Sequence, residues 1–444
     1  AVAATSALLL TAAAAGGDDS LREAKSRHEV QRTILISRAY DGGAPNGPST
    51  NAVISQDRRW SRYVAFESEA SNLVRGDTNG AKDVFVVRRA GSFRNNGSGW
   101  LRGRTKLISR GPGGPANGPS WGAAVDGGFW SVPSCVAFLS AASNLVAGDT
   151  NGKVDAFVSR RVGRLPRRVS LPDATEDTSE VAVSGDCSRI AFVTGGQLYV
   201  RAGKRVRRLD AGGPAGDPSF SNGFSNDLVF TGPKGVYLSR GGIRKPKLMV
   251  RGARNPAYSD IHKPPPHCKR RTLAYEVKKG GRWQIEVRVQ GRGTRVISRR
   301  RASIANGDSR DPVIGNAGCY VTFESDANNL GVNATGKKGD HNNRPDVYLY
   351  TAVRRITLVQ SVRSKAIPLV GGGHNPSMSW YANYIVFDSV PPLRDSFTPH
   401  RWQRTQAPPY EDPVPPEQPQ PQPPQQPTAP VENRQVYMRY LGPV

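Results

Sequence analysis

Short segments in which β-branched or aromatic residues alternate with small or polar residues recur along the whole chain. The most regular segment occurs seven times, and a second apolar segment follows each copy. Alternation with a period of two is typical of β-strands and not of helices. The first segments are YVAFES from Tyr63, CVAFLS from Cys135, IAFVT from Ile190, LVF from Leu228, LAYEV from Leu273, YVTFES from Tyr320 and YIVFDS from Tyr384; the second begin at Asp83, Asp155, Gln197, Gly235, Gln284, Asp346 and Gln435.

A third segment ends six of the seven units, and a weaker one such as AVIS at Ala52 precedes them. The seventh copy of the third segment, ILIS from Ile34, lies near the N-terminus. A closed ring has no free sheet edges, so the N-terminal strand should complete the last unit. The sequence therefore predicts an all-β, seven-bladed β-propeller of four-stranded blades. The number of blades could also be six or eight, because the fourth and fifth units match the repeat only weakly.

The predicted propeller spans residues 32–444, and other segments have different compositions. The predicted repeats cover about 39–110, 111–170, 171–210, 211–250, 251–299, 300–360 and 361–444, with 32–38 joining the last. Residues 1–18 are rich in Ala and Leu and resemble the remnant of a signal peptide, with a linker at 19–31. Residues 407–432 are a Pro- and Gln-rich insertion in the last blade, predicted to be unstructured. The signal-like segment favours a secreted or cell-envelope protein, and no later stretch is apolar enough to span a membrane.

Charge changes the expected partners. The chain has 62 Lys and Arg against 36 Asp and Glu, a formal net charge of +26. Such a balance favours a protein partner or an anionic cell-wall polymer. Nucleic acid is not expected, because no basic stripe with interleaved aromatic residues and no known nucleic-acid motif is present. The oligomeric state stays open.

Three of the turns before the strands carry a known repeat signature. Ser55-Gln-Asp57 followed by Tyr63-Val-Ala-Phe-Glu-Ser68 is similar to the unit S-P-D-G-x-x-I-A-F-x-S, as are the segments from Ser184 and Asp126. In this respect the chain resembles the TolB-like family of WD-repeat-like propellers over about residues 32–444. The resemblance implies the fold and leaves the function open, since this fold serves many functions.

The clearest candidate site is the motif Asp-x-Asn-x-x-x-Asp. It occurs three times between the first and second segments of a unit: Asp77, Asn79 and Asp83; Asp149, Asn151 and Asp155; Asp340, Asn342 and Asp346. Three oxygen-bearing side chains in a tight turn suit a hard cation such as calcium. The alternative is turn chemistry alone, because Asn-Gly favours a turn and Asp can cap it. No other cofactor is expected.

The four cysteines form two pairs with similar separations. Cys135 and Cys187 lie 52 residues apart, and Cys268 and Cys319 lie 51 residues apart. Each cysteine lies near the turn before a strand of the first type, and equivalent turns of adjacent blades are neighbours. We therefore expect two disulfides, consistent with export; four buried thiols are the alternative.

The sequence shows no catalytic constellation, so we expect a non-catalytic protein-binding or cell-envelope scaffold. The inner strands contain mainly small apolar residues, and several acidic residues or His converging at one end of the axis would instead favour an enzyme such as a lyase or glycan hydrolase. A calcium-stabilised structural module is a third possibility. Long second-to-third-strand loops belong to units six, seven, one and two, which are neighbours in a ring. We expect them to form a raised wall that recognises the partner.

Overall fold

Seven four-stranded antiparallel sheets form a closed ring in the computed structural model of the chain. The first strand of each blade contacts the first strand of the next, and that of the seventh contacts that of the first. The structure describes residues 32–57, 61–90, 100–127, 133–221, 223, 225–261, 268–315, 318–330, 342–352, 356–361, 371–390 and 433–441. The predicted seven-bladed propeller is confirmed.

Each blade runs from an inner first strand near the axis to an outer fourth strand. The strands are Ser49–Ile54, Tyr63–Ser68, Asp83–Ala90 and Leu101–Leu107 in blade 1; Ser120–Val125, Cys135–Ser140, Asp155–Arg160 and Arg167–Arg168 in blade 2; Thr178–Val183, Arg189–Thr194, Gln197–Ala202 and Arg205–Leu209 in blade 3; Gly216–Phe220, Leu228–Gly232, Gly235–Ser239 and Lys247–Arg251 in blade 4; Ala253–Tyr258, Thr272–Lys279, Arg282–Val289 and Gly293–Val296 in blade 5; Ser309–Ile314, Tyr320–Ser325, Asp346–Thr351 and Ile356–Val359 in blade 6; Gly371–Met378, Tyr384–Val390, Gln435–Tyr440 and Arg32–Leu35 in blade 7.

Short elements connect some of these strands. Two small hairpins pair Arg110–Gly111 with Gly114–Pro115 and Arg299–Arg300 with Ser303–Ile304, and a 3-10 turn spans Arg240–Gly242. No helix in the described part of the chain is long and apolar enough to cross a membrane.

The N-terminal strand closes the ring as predicted. Ile34 lies opposite Met438 in the antiparallel register between the fourth and third strands of blade 7. The hydroxyl of Ser37 then donates a 2.9 Å hydrogen bond to the side chain of Gln435. Residues 398 positions apart in sequence thus lie in one sheet. The N-terminal strand pairs with the third strand of blade 7 and completes that blade, which closes the ring.

Aromatic pairs between the second and third strands fill the middle of the blades. In five blades the two rings stack with centroids 5.5–5.9 Å apart, an arrangement that contributes about 0.5–1.5 kcal/mol per pair beyond simple burial. Blade 5 instead pairs the Tyr275 hydroxyl with the carboxylate of Glu286. The stacked pairs are Phe66–Phe85, Phe138–Phe157, Phe192–Tyr199, Phe230–Tyr237 and Phe323–Tyr348.

The strand order places the loops on two faces. Connections from second to third strands, and from one blade to the next, lie on one face, here called the loop face; first-to-second and third-to-fourth connections lie on the opposite face. In blades 1 and 2 the second-to-third connections are long, whereas in blades 3, 4 and 5 they are two-residue turns. The strand bounds also make these connections long in blades 6 and 7, although 331–341 and 391–432 lie outside the described residues.

Both predicted disulfides are present on the opposite face. Cys135 bonds to Cys187 and links blades 2 and 3, with Cα atoms 6.2 Å apart. Cys268 bonds to Cys319 and links blades 5 and 6, with Cα atoms 5.5 Å apart. The predicted signal-like segment (1–18), linker (19–31) and insertion (407–432) lie outside the described residues.

Candidate functional site

The first strands of six blades carry bulges near their beginnings. In six blades one bulge residue adopts a left-handed conformation, with φ between 46° and 64°. Gly, Asn and Asp tolerate this conformation best, and the bulge positions contain only these types. The six residues are Asn51, Gly122, Asp217, Asn255, Asp311 and Asn375.

Second-strand carboxylates lie beside these bulges. The position paired with the residue before the bulge is Glu67 in blade 1, Glu276 in blade 5, Glu324 in blade 6 and Asp388 in blade 7. Three of them accept a hydrogen bond from the bulge N–H of the following blade. The distances are 2.8 Å from Gly122 to Glu67, 2.9 Å from Asp311 to Glu276 and 3.1 Å from Asn375 to Glu324.

Blades 3 and 4 make the same type of link with other residues. Glu180, on the first strand of blade 3, accepts a 2.7 Å hydrogen bond from the N–H of Asp217. The N–H of Asn255 donates to Asp217 and to the hydroxyl of Thr231. Blade 2 has Leu139 at the corresponding position, so it contributes no carboxylate.

Seven carboxylates thus converge around the axis near its loop-face end, and we call them the axial ring. Its members are Glu67, Glu180, Asp217, Glu276, Asp311, Glu324 and Asp388.

Basic groups neutralise only part of the axial ring. Arg254 pairs with Glu276 at 2.8 Å, Arg434 lies 3.9 Å from Asp388, and the His374 ring lies 3.1 Å from Glu324. The charge of Lys82 also acts on Glu67, and that of Arg310 acts on Asp311 and Glu324, which leaves five basic groups against seven carboxyl groups. The ring therefore keeps an excess of negative charge in a protein whose formal net charge is +26. Such a local reversal of sign attracts cations to this end of the axis.

Burial perturbs the titration of the axial ring. Desolvation, with the charge of Asp217 second, raises the pKa of Glu180 to about 7. Desolvation followed by repulsion from Glu276 and Glu324 raises the pKa of Asp311 to about 6. Burial acts in the same direction on Glu324, but the hydrogen bond and charge of His374 outweigh it and lower the pKa of this carboxyl.

Asp388 is the most deeply buried member. Desolvation raises its pKa to about 8, although the Asn375 amide donates a 3.0 Å hydrogen bond to Oδ2. Its Oδ1 is buried and has no hydrogen-bond partner, and the backbone of Asn51 has only a small lowering effect on the pKa of this carboxyl. A carboxylate in this position is costly to ionise.

Part of the axial ring is accessible. Glu180, Asp217 and Asp311 are half-buried, and Asn51 is exposed, whereas Glu67, Glu276 and Glu324 are buried. The bulges lie at the beginnings of the first strands and therefore at the loop face. We call this opening, with its half-buried carboxylates, the axial mouth.

The axial mouth corrects one expectation from the sequence. The small residues Ala52, Ala123 and Ala182 do lie on the inner strands. They do not determine the charge near the axis, because acidic side chains of the bulges and of the ends of the second strands lie there. A signal was present: an acidic residue recurs before the last Ser of YVAFES, YVTFES and YIVFDS, and Asp-Pro or Asn-Pro recurs in the first strands.

The Asp-x-Asn-x-x-x-Asp motifs form similar turns in blades 1 and 2. In blade 1 the Asn79 oxygen accepts from the N–H of Ala81, while its amide donates to Asp83 at 2.6 Å. In blade 2 the Asn151 oxygen accepts from Lys153 and its amide donates to Asp155 at 3.1 Å. These are the bonds expected of turn chemistry.

The two turns differ in charge compensation. In blade 2 the Arg168 guanidinium donates to Asp149 at 3.0 Å and to Asp155 at 3.1 Å. In blade 1 neither Asp77 nor Asp83 has an ion pair within the described part of the chain. Burial raises the pKa of both, that of Asp83 to about 6. Of the two turns that the structure describes in full, only that of blade 1 therefore combines two carboxylates without an ion pair.

The blade 6 motif is described only in part. Asp340 lies outside the described residues, the side chain of Asn342 accepts from the N–H of Arg344, and Asp346 accepts from the hydroxyl of Ser361.

In the described part of the chain, no group of three or more His, Cys, Asp or Glu ligand atoms gathers at these motifs. Among the described residues, the one group of three or more His, Cys, Asp or Glu side chains with ligand atoms within 4.8 Å of one another is Asp126, Cys135 and Cys187. Both of those cysteines are in a disulfide. Calcium binding at the repeated turns therefore stays a prediction.

Comparisons with known proteins found solved structures of low sequence similarity. No protein-family model and no curated protein matches the sequence. Similar solved structures include TolB from Acinetobacter baumannii (13% identity, 79% of this chain and 75% of that one, TM-score 0.36). They also include an oligogalacturonate lyase in complex with manganese (9%, 92% and 97%, 0.46) and dipeptidyl peptidase 4 from Porphyromonas gingivalis (12%, 77% and 50%, 0.38). These likenesses concern the fold and assign no activity to this chain.

Proposed function

We propose that this protein is a non-catalytic binding propeller that acts outside the cytoplasm and receives a cationic segment of a protein partner at the axial mouth. The observation that carries the proposal is the excess of negative charge at the mouth of a strongly basic molecule. A concave site of one sign, lined by a medium of low dielectric constant, concentrates ligands of the opposite sign. A Lys or Arg side chain is the protein group that fits this requirement.

The long second-to-third-strand connections of blades 1, 2, 6 and 7, here called the loop wall, favour a protein as the partner. The long connections of blades 1 and 2 rise on the same face as the axial mouth, and those of blades 6 and 7 are also long. Loops on a rigid scaffold commonly provide recognition surfaces. A partner that enters the mouth with a basic side chain would therefore contact the wall on one side only.

The disulfides support a location outside the cytoplasm. Disulfides persist in oxidising compartments and are uncommon in the cytosol. Two bonds that each join adjacent blades, together with the signal-like sequence at 1–18, favour a secreted or cell-envelope protein.

An axial enzyme is the second candidate, and the convergence of seven carboxylates with His374 favours it. Glu180, with its pKa near 7, beside Asp217 resembles a general acid next to a base. We rank it second because one oxygen of Glu180 accepts the backbone N–H of Asp217, and Glu67, Glu276 and Glu324 likewise accept a backbone N–H from the next blade. Carboxylates fixed in this way link adjacent blades, and we therefore assign them a structural role before a catalytic one.

The test measures binding of short peptides to the full chain by isothermal titration calorimetry. We expect a pentalysine peptide to bind and a pentaglutamate peptide not to bind. The variant E180Q/D311N should weaken pentalysine binding about tenfold or more. The control D41N/D210N removes two exposed charges from blade-to-blade connections on the loop face and should leave binding unchanged.

Two results would count against the proposal. If both double variants weaken binding equally, the peptide responds to overall charge and not to the axial mouth. If a glycan is cleaved by the full chain and E180Q abolishes cleavage, the axial enzyme replaces the binding propeller as the leading function.

A further inference from the structure

A cavity lies on the opposite face, between the outer halves of blades 5 and 6. Its volume is about 420 Å³, within the range of small-molecule sites. The walls come from the first-to-second and third-to-fourth connections of blade 5 and from the facing strands of blade 6. We call it the basic pocket; its charged lining residues are Lys269, Arg270, Arg292 and Arg295.

The lining of the basic pocket has one sign of charge. Four basic side chains line it, and none of its lining residues is Asp or Glu. Lys269, Arg270 and Arg292 are exposed at the rim, and Arg295 is half-buried. Positive charges gathered at a cleft reinforce one another's field, unlike the same number scattered over a convex surface.

The inner part of the basic pocket is apolar and rigid. Val287 and Tyr350 are each 5% exposed and form part of its floor. The Cys268–Cys319 disulfide joins the two blades beside it. Gly318 has φ of +74° and leaves no room for a Cβ, because its backbone packs directly against the side chain of Thr272. The two walls are therefore held at a fixed separation, which favours a preformed site.

We infer that the basic pocket binds an oxyanion, a phosphate or carboxylate group, carried on the repeating unit of an anionic glycan or polyol polymer. Arginine side chains bind both groups through paired hydrogen bonds, which lysine cannot provide. The apolar floor accepts the carbon frame that carries the anion. The inference is independent of the axial mouth, which has the opposite charge and lies on the other face.

The experiment titrates the full chain with three probes at low ionic strength. They are a uronic-acid trisaccharide, an oligo(glycerol phosphate) and a neutral trisaccharide of the same length. We expect saturable binding of one anionic probe at one site per chain and no binding of the neutral one. If the uronic-acid probe binds more tightly, the oxyanion is a carboxylate; if the oligo(glycerol phosphate) binds more tightly, it is a phosphate.

Matched variants separate the pocket from general surface charge. K269Q/R292Q should weaken the anionic probe about tenfold or more. The control R205Q/R208Q removes two exposed charges from the outer strand of blade 3 and should have little effect. Equal losses in the two variants, equal binding of the neutral sugar, or failure of both anionic probes to bind would overturn the inference.

Discussion

Replacement of Asp388 by Asn should change how stability depends on pH. The pKa of Asp388 is about 8 in the folded protein against 3.8 for an unperturbed Asp, because burial disfavours its charged form. Between about pH 4 and pH 8 the folded chain therefore holds a proton that the unfolded chain releases. Stability then falls as pH rises through this window, by about 1.4 kcal/mol per pH unit for one such group.

The size of the effect can be worked out for an accessible range. From pH 5 to pH 7 Asp388 alone should cost about 3 kcal/mol, and D388N, which cannot ionise, should lose this slope. Urea unfolding at pH 5, 6 and 7 measures it, with D41N as a control because Asp41 is exposed on the surface. A slope for D388N equal to that of the unmodified chain would refute the reasoning.

Three further predictions follow from the turns, the links between blades and the disulfides. Millimolar calcium should raise the thermal midpoint, and Asp77→Ala should abolish the rise while Asp149→Ala should not, because an arginine already neutralises the blade 2 turn; a rise that survives Asp77→Ala contradicts this. Glu67→Ala should lower stability by about 2 kcal/mol in urea unfolding, because it leaves a backbone N–H of the next blade without its acceptor; an unchanged midpoint would mean that this link contributes little. Replacing Cys268 and Cys319 by Ser should cost about 4 kcal/mol, the loop entropy of a 51-residue separation, measured under the same conditions.

Much of the fold could be predicted because a repeat specifies it several times. The segment from Ile34 has no partner nearby in sequence, but the last unit lacks its outer strand, so closure of the ring places Ile34 beside Met438. The cysteine pairs were predictable for the same reason, since equivalent turns of adjacent blades must be neighbours.

The axial ring could not be predicted from strand patterns in the same way. Glu67 lies within a strand in which every residue except Tyr63 is buried, and alternation alone does not show which end of the strand lies near the axis. Its partner, the N–H of Gly122, is 55 residues away and is freed from its own sheet only by a bulge. A bulge depends on local backbone geometry. In blades 4 to 7 Asp-Pro or Asn-Pro marks the bulge in the sequence, but at Gly122 no such dipeptide is present.

The distribution of charge between the two faces distinguishes two kinds of surface that the net charge alone does not. A charge of +26 predicts an anionic partner for the molecule as a whole. The structure places surfaces of opposite charge on different faces. The loop face has the acidic axial mouth, and the opposite face has the basic pocket between blades 5 and 6. A basic protein segment and an anionic polymer therefore need not compete for one surface. If both proposals hold, the propeller could bind both partners at the same time, one on each face.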